Sequence, residues 1–133
     1  MNYKKYRLFF LLLFFYVLTN DGCISQQEET RQIVLKLKMF RSKLGSGSID
    51  SLTAFITDKM RQTTISEYSF DDEIMSKRLR TWGKLLENNY KIHFNGKDTS
   101  IVKIGNDPVI GASTIRLIKE NNDWRIDAIV LAY

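Results

Sequence analysis

The segment Tyr90-Lys-Ile-His-Phe94, followed directly by Asn95-Gly96, decides the fold class of this chain. Its apolar and polar residues alternate, which is the pattern of a β-strand with one face turned to a core. Asn-Gly is a strong signal for a tight hairpin turn, because both residues accept a positive φ. The segment therefore predicts a β-hairpin whose second strand runs from Thr99 to Ile104.

Further strands follow the hairpin and are separated by turn residues. The predicted order is a turn over Gly105–Pro108, a strand over Ser113–Glu120, a turn over Asn121–Asp123 and a strand over Trp124–Leu131. Because side chains alternate along a strand, one face of the last strand is expected to carry Trp124, Ile126, Ala128 and Val130. The second half of the chain therefore predicts an antiparallel meander.

Before Tyr90 the apolar period is helical. A first helix is predicted over about Gln27–Leu44 and a third from Ser69–Asp72 to Asn88, with Met75, Leu79, Trp82 and Leu86 on one face. Between them we expect a helix from Ser48 or Asp50 to Met60, and then a short strand or extended link over Arg61–Phe70. Helices followed by a meander define an α+β domain, with the helices on one face of a curved sheet.

The first helix also carries a cluster of basic residues, Lys36, Lys38, Arg41 and Lys43. The favoured interpretation is a solvated face with favourable charge near the helix C-terminus. The alternative is attraction to anionic lipid or to an acidic partner.

The start of the chain has the layout of a secretory signal peptide. Met1–Arg7 is basic, Leu8–Leu18 is an apolar run, and the chain's single cysteine, Cys23, follows. The run is much shorter than the roughly 20 residues that a membrane-spanning helix needs. We therefore expect residues 1–25 to form a signal and residues 26–133 to form one α+β domain.

Two ways of processing this signal are open, besides a retained anchor. Lipid on Cys23 would make it the first mature residue, whereas cleavage after Ser25 would release a chain that begins at Gln26. The region resembles a bacterial lipoprotein signal in having Gly22 before the cysteine, and departs from it at Asn20-Asp21. Lipidation is favoured, because a lone cysteine in an oxidising compartment has no partner within the chain.

Composition narrows the class of function. Residues 1–25 hold three of the 20 basic and one of the 15 acidic residues, so the remainder has a net charge of only +3. The high isoelectric point therefore owes much to the signal, and we predict no nucleic-acid partner. The chain also has no phosphate-binding glycine loop and no metal-ligand spacing, so neither a cofactor nor a metal is expected.

The element order and the hairpin Ile115–Asp127 resemble the nuclear-transport-factor-2-like (NTF2-like) superfamily over about residues 30–131. The resemblance implies a cone-shaped α+β fold with a pocket between sheet and helices, and sheet-mediated homodimers are frequent in that superfamily. Its members include isomerases, dehydratases, immunity proteins and binding domains, so the fold does not choose a function.

Four residues are candidates for lining such a pocket: Tyr68, His93, Asp127 and Tyr133. Tyr68 and Tyr133 could present hydroxyl groups at a rim. His93 alternates with the apolar face of its strand, and Asp127 lies opposite Trp124, so the two could form an acid–base pair. The favoured interpretation is instead two exposed polar residues on neighbouring strands, and no catalytic residue is assigned.

These observations predict an exported, lipid-anchored, non-catalytic binding protein of the bacterial cell envelope. Its lipid on Cys23 would hold it on a membrane facing the periplasm or the cell surface; without lipid it would be periplasmic or secreted. The domain would bind a small apolar molecule or a protein partner, and homodimerisation stays open. The alternatives are an envelope immunity protein that neutralises a toxin, and a small isomerase or hydrolase using Asp127 and His93.

Overall fold

The structure is a computed structural model that describes residues 25–45, 50–68, 72–107 and 111–132, with side chains at all of these except 64–68, 72, 106 and 107. The chain divides into two compact units, Met1–Ile33 and Val34–Tyr133. The predicted signal up to Ile24, with Cys23, lies outside the described residues.

In the first unit, residues 25–33 are helical. Glu28 accepts hydrogen bonds from Arg31 Nε at 3.0 Å and from Gln32 Nε2 at 3.3 Å, one turn further along the helix. These hydrogen bonds, Arg31 first, hold the pKa of Glu28 below its ordinary value. Ile33, the last residue of the unit, is fully buried.

In the described part of the second unit, three helices precede the sheet. Residues 34–44 form helix α1, Asp58–Tyr68 form α2 and Asp72–Leu85 form α3, with a short 3-10 turn over Asp50–Leu52 before α2. The predicted first and third helices are confirmed within these bounds. Asn88 caps the C-terminal end of α3. Its Nδ2 group donates to the carbonyl oxygens of Lys84 and Leu85, at 3.2 Å each.

The prediction for the segment between α1 and α3 is wrong in two respects. Ile56 does not continue a helix, because it forms an isolated parallel bridge with Ile126. Residues 61–68 of the region expected to be extended belong to α2, which begins one residue after Thr57. The Thr57 hydroxyl accepts the N–H of Met60 at 3.1 Å and so caps this helix. Capping outweighs the modest cost of β-branched residues in a helix interior.

The sheet is an antiparallel meander in the order β1-β2-β3-β4. Its strands are β1 Tyr90–Phe94, β2 Thr99–Asp107, β3 Gly111–Glu120 and β4 Asp123–Val130. The predicted α+β class is therefore confirmed, with all four strands close to their expected positions. The β3–β4 turn uses Asn121 and Asn122 at φ values of 51° and 65°, which asparagine tolerates better than most residues.

One face of the sheet is the core face, and its residues pair across all four strands. Val102, Ile115, Leu117 and Ile126 on this face are fully buried. Helices α1 and α3 contribute the other side of the core, including Phe40 and Trp82, whose ring centroids lie 6.4 Å apart. The predicted helical stripe of Met75, Leu79, Trp82 and Leu86 is buried throughout.

On the core face, two aromatic side chains from the two edge strands contact each other beside a small residue. Phe94 on β1 and Trp124 on β4 lie with ring centroids 6.1 Å apart, although two strands separate their backbones. Ser100, which pairs with Phe94 across β1 and β2, is fully buried and donates from Oγ to the carbonyl of His93 at 3.2 Å. A hydroxymethyl group there leaves the space that the two large rings fill.

Candidate functional site

A β-bulge in β4 places Asp127. Arg116 pairs with Ala128 and Leu117 pairs with Ile126, so Asp127 is an extra residue with no partner on β3. The alternation is therefore shifted after Asp127, and Ile129 pairs with the buried Ile115. The expectation that Ala128 and Val130 share the face of Trp124 is wrong, and Val130 is 60% exposed.

The bulged carboxylate is buried and has three hydrogen bonds. Thr57 Oγ1 donates to Asp127 Oδ1 at 3.0 Å, and Arg116 Nε donates to Oδ2 at 2.8 Å. The Nη2 group of Arg116 also contacts Oδ2. The Asp127 side chain is only 3% exposed, whereas that of Arg116 is 44% exposed. The prediction that Asp127 is an exposed polar residue is therefore wrong.

Backbone pairing fixes Thr57 beside the bulge. The Thr57 N–H donates to the carbonyl of Ile126 at 2.9 Å, and the Ile126 N–H donates to the carbonyl of Phe55 at 2.8 Å. The same threonine therefore joins β4, caps α2 and bonds to Asp127. Because both Asp127 oxygens accept hydrogen bonds from the protein, this carboxylate holds the bulge and the helix start together.

An open cleft of about 500 Å³ lies over this cluster. One of its eight lining residues is aliphatic, Ile118, and the others are polar or charged: Thr57, Asp58, Lys59, Thr99, Arg116, Glu120 and Asp127. Arg116 and Lys59 offer cationic groups at its surface, and Thr99 offers a hydroxyl. The lining also holds the acidic residues Asp58, Glu120 and Asp127, and Arg116 is already paired with Asp127, so the cleft is polar and has no excess of positive charge.

His93 does not lie near the cleft. It is exposed on β1, at the edge of the sheet opposite to β4, and the order of strands places β2 and β3 between it and Asp127. Three strand spacings amount to about 14 Å between the two backbones. The expectation that His93 and Asp127 lie on neighbouring strands is wrong, and at this separation the two side chains do not form a direct hydrogen bond.

The structure does not place the side chains of the other predicted site residues. Tyr133 and Cys23 lie outside the described residues, and the Tyr68 side chain is not described. Sequence reasoning missed Thr57 and Arg116 as partners of Asp127. A threonine directly before Asp58 is a helix-start signal that could have located Thr57, but no local pattern reports a bulge that turns Asp127 toward it.

The side of the sheet away from the core forms a second feature, which we call the outer face. It pairs His93, Ile101, Arg116 and Ala128 in one row across the four strands, and Lys91, Lys103, Thr114 and Val130 in the next. Ile101 and Ile118 are half-buried on this face, among the long side chains of Lys103 and Arg116. The outer face therefore mixes aliphatic and cationic groups.

A second open cleft, of about 460 Å³, lies where α1 approaches the end of α3. Its lining residues are Leu37, Lys38, Arg41, Leu86, Glu87, Asn88, Asn89 and Tyr90. Arg41 Nη2 lies 3.0 Å from Glu87 Oε1 across it. Burial raises the pKa of the Tyr90 phenol above its ordinary value, because the low-polarity surroundings disfavour the phenolate.

Comparisons with protein-family models, curated proteins and solved structures found no match to this chain. Within the described ranges, no group of three or more histidine, cysteine, aspartate or glutamate side chains is placed to hold a metal ion. None of the helices in those ranges has the length and apolar content required to cross a membrane.

Proposed function

We propose that this chain is an exported, lipid-anchored, non-catalytic protein of the bacterial cell envelope that binds an acidic protein partner through the outer face of its sheet. The observation that carries the binding function is the composition of that face. The export and the lipid on Cys23 rest on the sequence of residues 1–25.

The outer face has the composition that protein interfaces favour. Arg116 and Arg125 lie on it beside half-buried isoleucines, and arginine next to aliphatic groups is common at interface cores. Lys91 and Lys103 lie toward one end, where they would form a cationic rim. A partner with carboxylates around an apolar centre is complementary to this pattern.

A protein partner accounts for the geometry better than a small apolar molecule does. Both clefts described above are open and are lined mainly by polar or charged side chains. The core residues Phe40, Val102 and Ile115 are buried at 0% exposure. A small apolar ligand prefers an enclosed site lined by hydrophobic side chains.

The same geometry weighs against a hydrolase or isomerase that uses Asp127 and His93. A general base must reach the proton that it removes within hydrogen-bond distance or through one water molecule. Asp127 is bound to Thr57 and Arg116, and His93 lies on the opposite edge strand, with β2 and β3 between them. The two residues therefore have different surroundings and do not share a substrate position.

The binding proposal is tested by site-specific photo-crosslinking in intact cells of the source organism. A photoreactive residue at Thr114, on the outer face, is compared with one at Lys97, in the exposed β1–β2 turn. We expect a discrete protein adduct from Thr114 only, and we expect Lys103→Glu to weaken it. Equal adducts from both positions, or none from either, would rule out the outer face as the binding surface.

The anchoring proposal is tested separately by the intact mass of the protein in the membrane fraction. A lipid-sized mass increment is expected for the wild type and is expected to vanish in Cys23→Ser. An unmodified wild-type mass would end the lipid-anchor proposal without affecting the crosslinking result.

A further inference from the structure

The positive charge of the second unit is concentrated in two neighbouring helices. Helix α1, residues 34–44, has four basic residues and no acidic one, and α3 has four basic and two acidic residues. The four strands together have five basic and four acidic residues. The contact between Phe40 and Trp82 places α1 and α3 side by side, and we call them the helical layer.

Ion pairs neutralise only part of the positive charge of the helical layer. Lys36 Nζ lies 2.6 Å from Asp123 Oδ1, and Arg41 lies beside Glu87 as described above. Among the described residues, the layer also exposes Lys38, Lys77, Arg80 and Lys84, which take part in neither of these two pairs. The surface of the helical layer therefore stays strongly cationic.

The helical layer also exposes aliphatic side chains where a solvated helix would carry polar ones. Leu35 is 58% exposed and Met39 is 48% exposed on α1, and Ile74 on α3 is 49% exposed. At 100° per residue, Leu35 and Met39 lie on the side of α1 opposite to the buried Leu37. Lys38 and Lys43 flank them, so aliphatic groups lie between flexible cationic side chains.

We infer that the helical layer is the surface on which this protein lies against an anionic lipid bilayer. Aliphatic groups flanked by lysines match the interface between acyl chains and anionic headgroups, because the apolar groups enter the interface while the ammonium groups stay at headgroup level. Each basic side chain near such a surface adds electrostatic attraction. The contact would leave the outer face of the sheet turned toward its partner.

The inference rests on the proposed lipid anchor for delivery to a membrane, and it adds the orientation of the domain. Leu35 follows Cys23 by only 12 residues in the chain, so a lipid there would keep α1 at the bilayer. Two weak membrane attachments act together, since the second forms at high effective concentration once the first has formed.

The test measures the depth of two matched positions in vesicles. Met39→Cys and Val130→Cys proteins are purified from the membrane fraction with lipid on Cys23, so that the introduced cysteine is the free thiol, and are labelled with an environment-sensitive fluorophore; intact mass confirms one label per chain. Each is reconstituted into phosphatidylcholine vesicles with and without phosphatidylglycerol, which contain a lipid-borne quencher. We expect quenching at Met39→Cys to exceed that at Val130→Cys about threefold on the anionic vesicles, because only the former lies at the bilayer.

Charge reversal supplies the matched control. Lys38→Glu with Lys84→Glu is expected to reduce quenching at position 39 about twofold, whereas Lys91→Glu with Lys103→Glu makes the same charge change on the outer face and should not. Equal quenching at positions 39 and 130, no quenching at 39, or equal effects of the two reversals would overturn the inference. An unmodified Cys23 would end the anchor proposal alone; the comparison between positions 39 and 130 is then repeated with Cys23→Ser, so that each chain again carries one label and still reports which side meets the vesicle.

Discussion

At the scale of single residues, Thr57 links helix α2 to strand β4 through its backbone N–H and its hydroxyl group. Its N–H pairs with Ile126, and its hydroxyl accepts the Met60 N–H while donating to Asp127. A threonine hydroxyl is suited to this position because it can donate and accept at the same time. The position of α2 at the sheet edge therefore depends on a side chain of only three heavy atoms.

This role predicts a large effect from a nearly isosteric change. Thr57→Val should lower the free energy of unfolding by about 2 kcal/mol, since it removes a helix cap and a donor to a buried carboxylate. The matched control is Thr81→Val, which alters an exposed threonine within α3 and should stay within about 0.5 kcal/mol. Urea denaturation of both variants measures the difference, and equal effects would contradict the role given to Thr57.

Tyr90 gives a prediction for alkaline pH. Its pKa is raised by burial, whereas in the unfolded chain the phenol ionises near pH 10. Above that pH the unfolded state loses a proton that the folded state keeps. The contribution of Tyr90 to the free energy of unfolding therefore falls as the pH rises. Tyr90→Phe should therefore lose less stability than the wild type between about pH 8 and pH 11. Denaturant titrations measure the free energy of unfolding of the wild type and of Tyr90→Phe at each pH. Equal changes with pH in the two proteins would show that burial of Tyr90 has no such effect.

At the scale of elements, the strands and the amphipathic helices were predictable because their apolar residues repeat with a clear period. Tyr90–Phe94 alternates without a break, and Met75, Leu79 and Trp82 follow a helical step. The segment from Ser51 to Tyr68 was not predictable in this way. There a cap at Thr57 and a long-range bridge to Ile126 override the local preference of β-branched residues, and neither interaction is visible in the sequence nearby.

The candidate site was predicted only in part, and the reason is again a non-local one. Asp127 belongs to the site, but strict alternation along β4 placed it on an exposed surface. The bulge shifts the alternation by one residue, and that shift depends on pairing with β3 that cannot be deduced from β4 alone. Its partners Thr57 and Arg116 come from two other elements.

The bulge can be tested by comparing adjacent residues on β4. Ile129 is paired with the fully buried Ile115 and is partly buried, whereas Val130 is largely exposed. Ile129→Ala should cost about 2 kcal/mol of unfolding free energy, and Val130→Ala less than about 0.5 kcal/mol. An unbroken strand would give the opposite order, so thermal or urea denaturation of these two variants distinguishes the registers.

At the scale of the whole molecule, charge on the outer face bears on homodimerisation, which the sequence left open. A two-fold contact through the sheet would bring the patch that holds Lys91, Lys103 and Arg116 in one copy against the same patch of the other copy. Like charges at close range oppose such a contact, most strongly at low salt. The outer face therefore favours a different, acidic partner over a second copy.

We accordingly expect the purified protein to be monomeric at low ionic strength in a mild detergent. Light scattering coupled to size-exclusion chromatography, corrected for bound detergent, measures its mass. A dimer at low salt whose amide hydrogen exchange is slowed along β2 and β3 would contradict this expectation. A dimer without that protection would instead locate self-association elsewhere on the chain.

The separation of charge between helices and sheet has a consequence for motion in solution. With eight basic and two acidic residues on the helical layer, against five and four on the strands, this unit has a permanent electric dipole. In the field of a negatively charged surface, such a body experiences a torque before any atoms touch. The torque acts within about a Debye length, roughly 10 Å at 0.1 M salt, so the rate of productive encounter should fall steeply as ions are added.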